Sequence, residues 1–511
     1  MRPVGHPFRL TPAQGVALLL LGAAGIALRL SALAPAIGDV DGVNFARAVE
    51  RFDPLHQSPH FPGYPVYVAV SQAAKALGAP LIVSLTAPGI VLWPIALVLL
   101  FLGVHRQLGA GAALGAGVVA SLAPGAIVVS GWPGSDGLGF SLLGAALGAL
   151  GLALPAAGDD RARRRWLATT GVLLGLVLGV RLSWWPLVLS AIAAALLLAR
   201  RDAVRVLLPA LSLAVLAWMV PLLHATGEPS AAIELARGFV SGHFTTWGNT
   251  ALVASAPLGD RFARAAYALT NAGLGTAWPA SIPLSSGGSP DPSTGAFVLL
   301  AGLALAAGLA IARARGTLQI VLGFGAPYLL WVLIGQNVEK PRHFIALLPL
   351  AGAAIGAGLA VLPKKALVPA AAALTLALCS VSVLRARAQH DALAPAAAIV
   401  AAVVRDNPPS GVAIFAGEEA RLFEHFAPAH RVMRPKSDAI LEVEAARLDA
   451  LGVKVLITSG ALKTDAAGPS RGRLERIAEF AALEGVRGHD AHLALYRYRG
   501  DLSGPRTEAR R

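Results

Sequence analysis

Apolar residues along this chain come in blocks of about twenty, separated by short polar or basic connections. A helix needs about 20 predominantly apolar residues to cross the hydrocarbon core of a bilayer, so each block reads as a transmembrane span. The pattern predicts about eleven, near residues 13–34, 81–104, 110–131, 137–154, 167–182, 184–199, 205–223, 296–312, 317–335, 343–362 and 366–384. Two stretches interrupt it. One runs from about Pro35 to Pro80. The other, from about His224 to Gly295, is too polar and too rich in Gly and Pro for plain spans. It suits surface or re-entrant helices, with Trp247 and Trp278 fit for an interface.

Beyond about Arg385 the chain changes character. Val412–Phe415 and Val453–Ile457 read as strands, and Glu418–Phe426 and Ala439–Leu451 as helices between them. The expected fold is therefore an α-helical polytopic membrane domain over residues 1–385, with loops near 35–80 and 224–295, followed by a small α/β domain over 386–511.

Composition agrees: 55% of the 511 residues are hydrophobic and 14% are charged, against roughly 25% charged in soluble proteins. The net charge of +14 raises nucleic acid as a partner. The basic residues form no stripe interleaved with aromatics, which excludes that class. They gather instead between apolar blocks, at Arg2/Arg9, His105/Arg106, Arg161–Arg165, Arg200/Arg201, Arg313/Arg315 and Lys364/Lys365. These clusters fall on alternate connections, which is the positive-inside pattern. It implies a multi-pass protein of a bacterial inner (plasma) membrane, with a cytoplasmic N-terminus and both loops and the C-terminal domain outside. Ala32-Leu33-Ala34 has the look of a signal-peptidase site, but the long first block carrying Arg29 reads as a retained span. The single cysteine, Cys379, rules out an internal disulfide. No GxGxxG or P-loop is present, so nucleotide binding has no support.

In so apolar a chain the placement of acids is informative. Asp39, Asp41, Glu50 and Asp53 follow the first span, and Phe45, Ala48, Val49 and Phe52 recur at helical spacing, which predicts an amphipathic helix starting at Asp41. Two readings stand for Asp41: a helix cap, or a carboxylate held at the bilayer edge as a general base. His60-Phe-Pro-Gly-Tyr64-Pro-Val-Tyr67 is either a turn with aromatic anchors or a substrate contact. Asp136 ends a Pro124-to-Asp136 stretch on the side expected for Asp41, either as a solvated turn acid or as a site residue. Lys340, Arg342 and His343 stand outside in this topology, against the charge bias. Phosphate binding explains them, and so does pairing with Glu339. Arg29 and Arg181, near outer span ends, either join that cluster or anchor the interface.

Taken in order, these motifs resemble the GT-C superfamily of membrane glycosyltransferases, which includes protein O-mannosyltransferases and the aminoarabinose transferase type. Asp41 with Phe45 and Ala48 is similar to the acidic motif after the first span. His60-Phe-Pro-Gly-Tyr64-Pro is similar to the His-Pro-Pro-Gly-Tyr-Pro motif of a related bacterial family. Pro124…Asp136 resembles the second acidic loop, and Arg342-His343 with Leu347-Leu-Pro349 resembles the Arg-aromatic-x-Leu-Pro motif of a late span. The resemblance covers roughly residues 13–362. The chain departs from it at Gly42, where many members carry a second acid, at Asn44, where Glu is usual, and at Phe61, which replaces a proline.

The resemblance implies a polyprenyl-phosphate-linked sugar donor, an extracytoplasmic glycan, lipid or protein acceptor, and direct inverting displacement. Asp41, with Asp39 as the neighbouring choice, would be the base, and Asp136 would orient the acceptor. Lys340, Arg342, His343 and Arg29 would meet the donor phosphate, and His60 and Tyr64 would contact substrate. A divalent metal, Mg or Mn, would have Asp41 and Asp136 as ligands. The alternative function is a transporter or lipid flippase. That would place ionisable residues near mid-span, whereas here the acids gather at one face.

Overall fold

The computed structural model describes residues 10–154, 159–253, 257–275, 315–462, 473–482 and 492–500. The span expected at 296–312, Trp278, Arg2, Arg9 and Arg313 lie outside these residues. The chain divides into two compact bodies. One holds the chain up to Ala34 and Asn44–His390. The other holds Pro35–Val43 with the described chain from Asp391 onward.

The first body is helical. α1 (Pro12–Ser31) opens with a capping box in which Thr11 and Gln14 satisfy each other's backbone N–H groups. There follow α2 (Val40–Glu50), which begins in the Pro35–Val43 segment, α3 (Pro65–Ala76) and α4 (Leu81–Leu108). α5 (Ala110–Leu122) and α6 (Pro124–Gly131) meet at a 43° bend, where Pro124 cannot continue the hydrogen-bond ladder. Next come α7 (Asp136–Ala153), α8 (Asp160–Val180), α9 (Trp185–Asp202), α10 (Leu208–Ala225), α11 (Pro229–Gly242) and α12 (Leu258–Tyr267). α13 (Arg315–Gly335), a 3-10 turn at Pro341–Leu347, α14 (Leu348–Leu359) and α15 (Lys364–Asp391) complete the body.

Among the described residues six helical stretches are long and apolar enough to cross a membrane, or seven if α5 and α6 form one span. The difference from the expected count has physical sources. α9 and α10 run on as one stretch, Leu182–Ala225, broken only by a non-helical Ala199 and a π turn at Ala203–Leu207 between the two expected spans. α8 carries Arg161, Arg163, Arg164 and Arg165 in its first turns, and α13 contributes a shorter apolar helix, Leu322–Gly335.

α7 is apolar on every side and almost wholly buried, so it forms the centre of the bundle. With lipid outside, hydrophobic burial drives little helix association, and close backbone packing takes over. A β-carbon on Gly115 or Gly356 would collide with the facing helix backbone, so α5 and α14 touch through glycine. Large apolar side chains such as Leu19, Leu20, Val91, Leu197 and Leu213 stand exposed, as lipid-facing residues do.

The second body is a five-stranded sheet of order β2-β1-β3-β5-β4. β1 (Val412–Phe415) pairs in parallel with β2 (Arg431–Met433) and β3 (Lys454–Thr458). β5 (His492–Tyr498) runs antiparallel to both β3 and β4 (Leu474–Ala481). The helices are α16 (Pro395–Asp406), α17 (Ala420–Phe426) and α18 (Asp438–Ala450). The apolar runs at β1 and β3 marked buried central strands. β4 is mostly exposed and β2 is three residues long, so neither leaves a strong pattern.

Glu419, just beyond β1, is 4% exposed. Nearby backbone N–H groups and the Thr458 hydroxyl only partly offset the loss of water around its carboxylate. Burial pushes its pKa up. A raised folded-state pKa means that stability is greatest below the unfolded value and falls as pH rises through the folded one. Glu419→Gln therefore stabilises this body by about 1 kcal/mol near pH 8, and the gain vanishes near pH 4. Amide hydrogen exchange of β1 and β3 in the full-length chain measures it. Equal protection of variant and parent at pH 8 contradicts it.

Candidate active site

The first acidic motif lies on α2. Here the cap is Asp39, not Asp41: Gly42 N–H donates to Asp39 Oδ1 at 2.6 Å. The helix starts one residue earlier than its apolar spacing suggested, which moves Asp41 into the first turn. Phe45, Ala48 and Val49 are buried in the helical core, the face their spacing predicted. Farther along the loop, His56 Nδ1 lies 2.9 Å from Asp53 Oδ2, and this hydrogen bond holds the Asp53 pKa below the usual carboxylate value.

The His60–Tyr67 motif folds back on itself. Gly63 and Tyr64 both take positive φ, 85° and 45°, which turns the chain sharply into α3. His60 Nε2 lies 3.1 Å from Tyr64 Oη. The Phe45 ring meets Tyr64 and Tyr67 edge-on at 5.0 and 4.8 Å, and Tyr67 Oη donates to Leu85 O. On its other side His60 stacks on Phe239 of α11 at 6.2 Å, and Phe239 stacks in turn on His243 at 6.3 Å. The motif is thus an aromatic bracket between the first loop and α11, a role that sequence spacing alone did not reveal.

Asp136 is not a solvated turn acid. It starts α7 with 7% of its side chain exposed, and Arg181, at the end of α8, pairs with both its oxygens at 3.1 and 3.3 Å. Arg181 also donates to Ser135 Oγ at 3.3 Å. The arrangement argues against a metal at Asp136, since a cation there would meet the guanidinium. Among the described residues no group of three or more His, Cys, Asp or Glu side chains gathers around a common point. Asp136 is thus engaged by Arg181 rather than offered to a metal, and no step below passes through one.

The late motif forms the turn before α14. His343 is buried, and its backbone carbonyl accepts a hydrogen bond from Tyr328 Oη at 2.7 Å. Arg181, Arg342, Lys340 and His243 all lie close enough for their charges to act on His343. The Asp136–Arg181 pair likewise acts on Tyr328. So α7, α8, the π turn at His243–Trp247 and the turn before α14 bring one carboxylate, three basic side chains and two imidazoles together, with Tyr328 of α13 among them. Among the described residues Arg181 Nε, His343 Nδ1 and His243 Nδ1 are buried with no hydrogen-bond partner. Arg181 Nε is thus a buried donor left over, which suits an incoming acceptor-rich group, whereas His243, whose Nε2 donates to Gly335 O, offers its Nδ1 as an acceptor when neutral.

Arg29 does not join them. It is fully buried, donates to Gly25 O, Ser121 O, Ala120 O and Ser130 Oγ at 3.0–3.2 Å, and lies 4.2 Å over the Trp93 ring. Its guanidinium ties α1 to α5 and α6, which corrects its expected place at a donor phosphate. Nothing local separates Arg29 from Arg181 in sequence. Each is a lone arginine in an apolar run, and only tertiary packing gives one a carboxylate and the other carbonyls.

No family model matches the chain, and no curated protein matches it in sequence. Solved structures do. The chain is similar to ArnT from Cupriavidus metallidurans bound to undecaprenyl phosphate, with a TM-score of 0.56 at 13% identity over 96% of this chain and 100% of that one. The apo state of ArnT gives 0.56 at 14% identity over 97% and 100%. The apo Archaeoglobus fulgidus oligosaccharyltransferase gives 0.49 at 14% identity over 87% of this chain and 69% of that one. The polytopic helical domain with a small C-terminal α/β domain that the sequence implied is the fold observed, and it is similar to the fold of ArnT.

Arg181→Ala leaves Asp136 buried and unpaired, which costs about 3–5 kcal/mol. Arg181→Met combined with Asp136→Asn regains most of that. The thermal midpoint of the detergent-solubilised chain reads both, and a midpoint for Arg181→Ala equal to that of the parent contradicts the pairing.

Proposed function

We propose that this chain is a glycosyltransferase that moves a sugar from a polyprenyl-phosphate donor to a hydroxyl of an extracytoplasmic glycan, lipid or protein, with inversion. The observation that carries this reading is the gathering of three basic side chains, the buried Arg181 and the half-buried Lys340 and Arg342, beside the buried His343, with Arg181 Nε left without a hydrogen-bond partner among the described residues. The likeness of fold to a structure that holds undecaprenyl phosphate supports the same choice of donor.

The chemistry is a single displacement. The acceptor oxygen attacks the anomeric carbon as the bond from that carbon to the phosphate oxygen breaks. The bonding pair leaves on the lipid phosphate, and the acceptor proton passes to the Asp41 carboxylate. Negative charge grows on the departing phosphate, so fixed cations that bind it more tightly as it leaves lower the barrier. Arg342 offers a planar fork matched to two phosphate oxygens, Lys340 a point charge, and Arg181 its remaining N–H. Asp136 keeps Arg181 aimed. Asp39 caps the helix that carries the base, and His60 and Tyr64 line the approach of the substrate.

Two substitutions test the roles separately. Asp41→Asn lowers kcat on the order of a hundredfold or more, whereas Asp39→Asn keeps its capping ability and most of the activity. Arg342→Lys preserves the charge but raises the donor KM. The measurement is release of lipid phosphate by purified protein at varied donor concentration with saturating acceptor. Full activity in Asp41→Asn removes the base, and unchanged donor dependence in Arg342→Lys removes Arg342 from the donor site.

A further inference from the structure

The sequence places Glu339 directly before Lys340 and three residues before Arg342, so the simplest pairing joins it to its own neighbours. The structure pairs it elsewhere. Arg264 of α12 holds Glu339 Oε1 at 2.6 Å, with the two side chains only 13% and 28% exposed. One helical turn earlier, Arg261 is 1% exposed. It donates to Leu333 O and Gln336 O at the end of α13, each at 2.8 Å, and to Asn249 O at 3.1 Å.

The rest of this stretch grips the same place. His243 Nε2 lies 2.7 Å from Gly335 O, Ala251 N–H donates to Ile334 O, and Asn249 Nδ2 donates to Asn337 Oδ1. Asn337 Oδ1 also accepts from the Glu339 backbone N–H. The last carbonyls of a helix have no partner within it, and here residues 243–264 supply partners. The basic turn therefore starts from a fixed point, and the acid beside it is drawn toward α12.

We propose that Arg264 is a positioning residue, engaging the Glu339 carboxylate so that this acid does not offset the positive charge that the basic turn presents to a phosphate monoester, while Arg261 fixes the helix end from which the turn springs. The proposal rests on the lipid-phosphate reading of the basic turn. A purely structural bond and this one differ in a single respect. If Arg264 matters because of what Glu339 does without it, removing Glu339 as well cancels the damage.

The experiment measures binding of undecaprenyl phosphate to the full-length chain in nanodiscs, for the parent, Arg264→Ala, Glu339→Gln and the double variant. Arg264→Ala weakens binding by about tenfold, a coupling of ordinary size for contacting residues. Glu339→Gln binds at least as well as the parent, and the double variant returns to within about twofold of Glu339→Gln. Arg264→Gln replaces Arg264→Ala in the same cycle if the alanine variant does not fold. A double variant as weak as the single, or a single variant that binds like the parent, overturns the proposal. A parent that does not bind undecaprenyl phosphate overturns the donor reading itself, and this proposal with it.

Discussion

The ion pair between Asp136 and Arg181 sits where the central helix begins and its neighbour ends. Neither charge has much water around it, since each side chain is 7% exposed. A buried charge without a partner is prohibitive in so apolar a setting, so each residue requires the other. The pair fixes the start of α7 against the end of α8, and with them the floor on which Tyr328 and His343 rest. It also leaves Arg181 Nε buried without a hydrogen-bond partner among the described residues. A fully balanced pair would be only a staple, whereas one with a donor to spare, beside further basic side chains, is what the proposed donor site builds on.

Much of this architecture was legible in the chain. Blocks of about twenty apolar residues announced the helices, and α/β patterning after residue 385 announced the sheet. The central strands Val412–Phe415 and Lys454–Thr458 were readable because burial on both faces demands continuous apolar residues. The short and exposed strands at Arg431–Met433 and Leu474–Ala481 lacked that demand. The span count was less legible because Leu182–Ala225 holds two expected spans in one broken helical stretch, and composition does not mark where a helix bends.

The candidate site was legible only in part. Asp41, Asp136, Lys340, Arg342 and His343 drew notice as ionisable groups that an apolar chain must have reason to keep. Their partners did not, because partnership is tertiary. Arg181 looked like Arg29, and Arg264 like any basic residue in a polar loop. Asp39 and Asp41, two residues apart, could be told apart only once the helix start was seen. His60 and Phe239 lie far apart in sequence, and no local pattern foretells that they stack.

The central claim is that the cationic end of the bundle receives a lipid phosphate. The most direct measurement is photo-crosslinking of the full-length chain in nanodiscs with a polyprenyl phosphate that carries a diazirine in its first isoprene unit, followed by peptide mapping. The account predicts adducts on the segments around Arg181–Trp185 and Lys340–Phe344. Adducts confined to the arginine-rich helix ends at Arg161–Arg165 and Arg200–Arg205, or spread evenly over the lipid-facing helices, would contradict it.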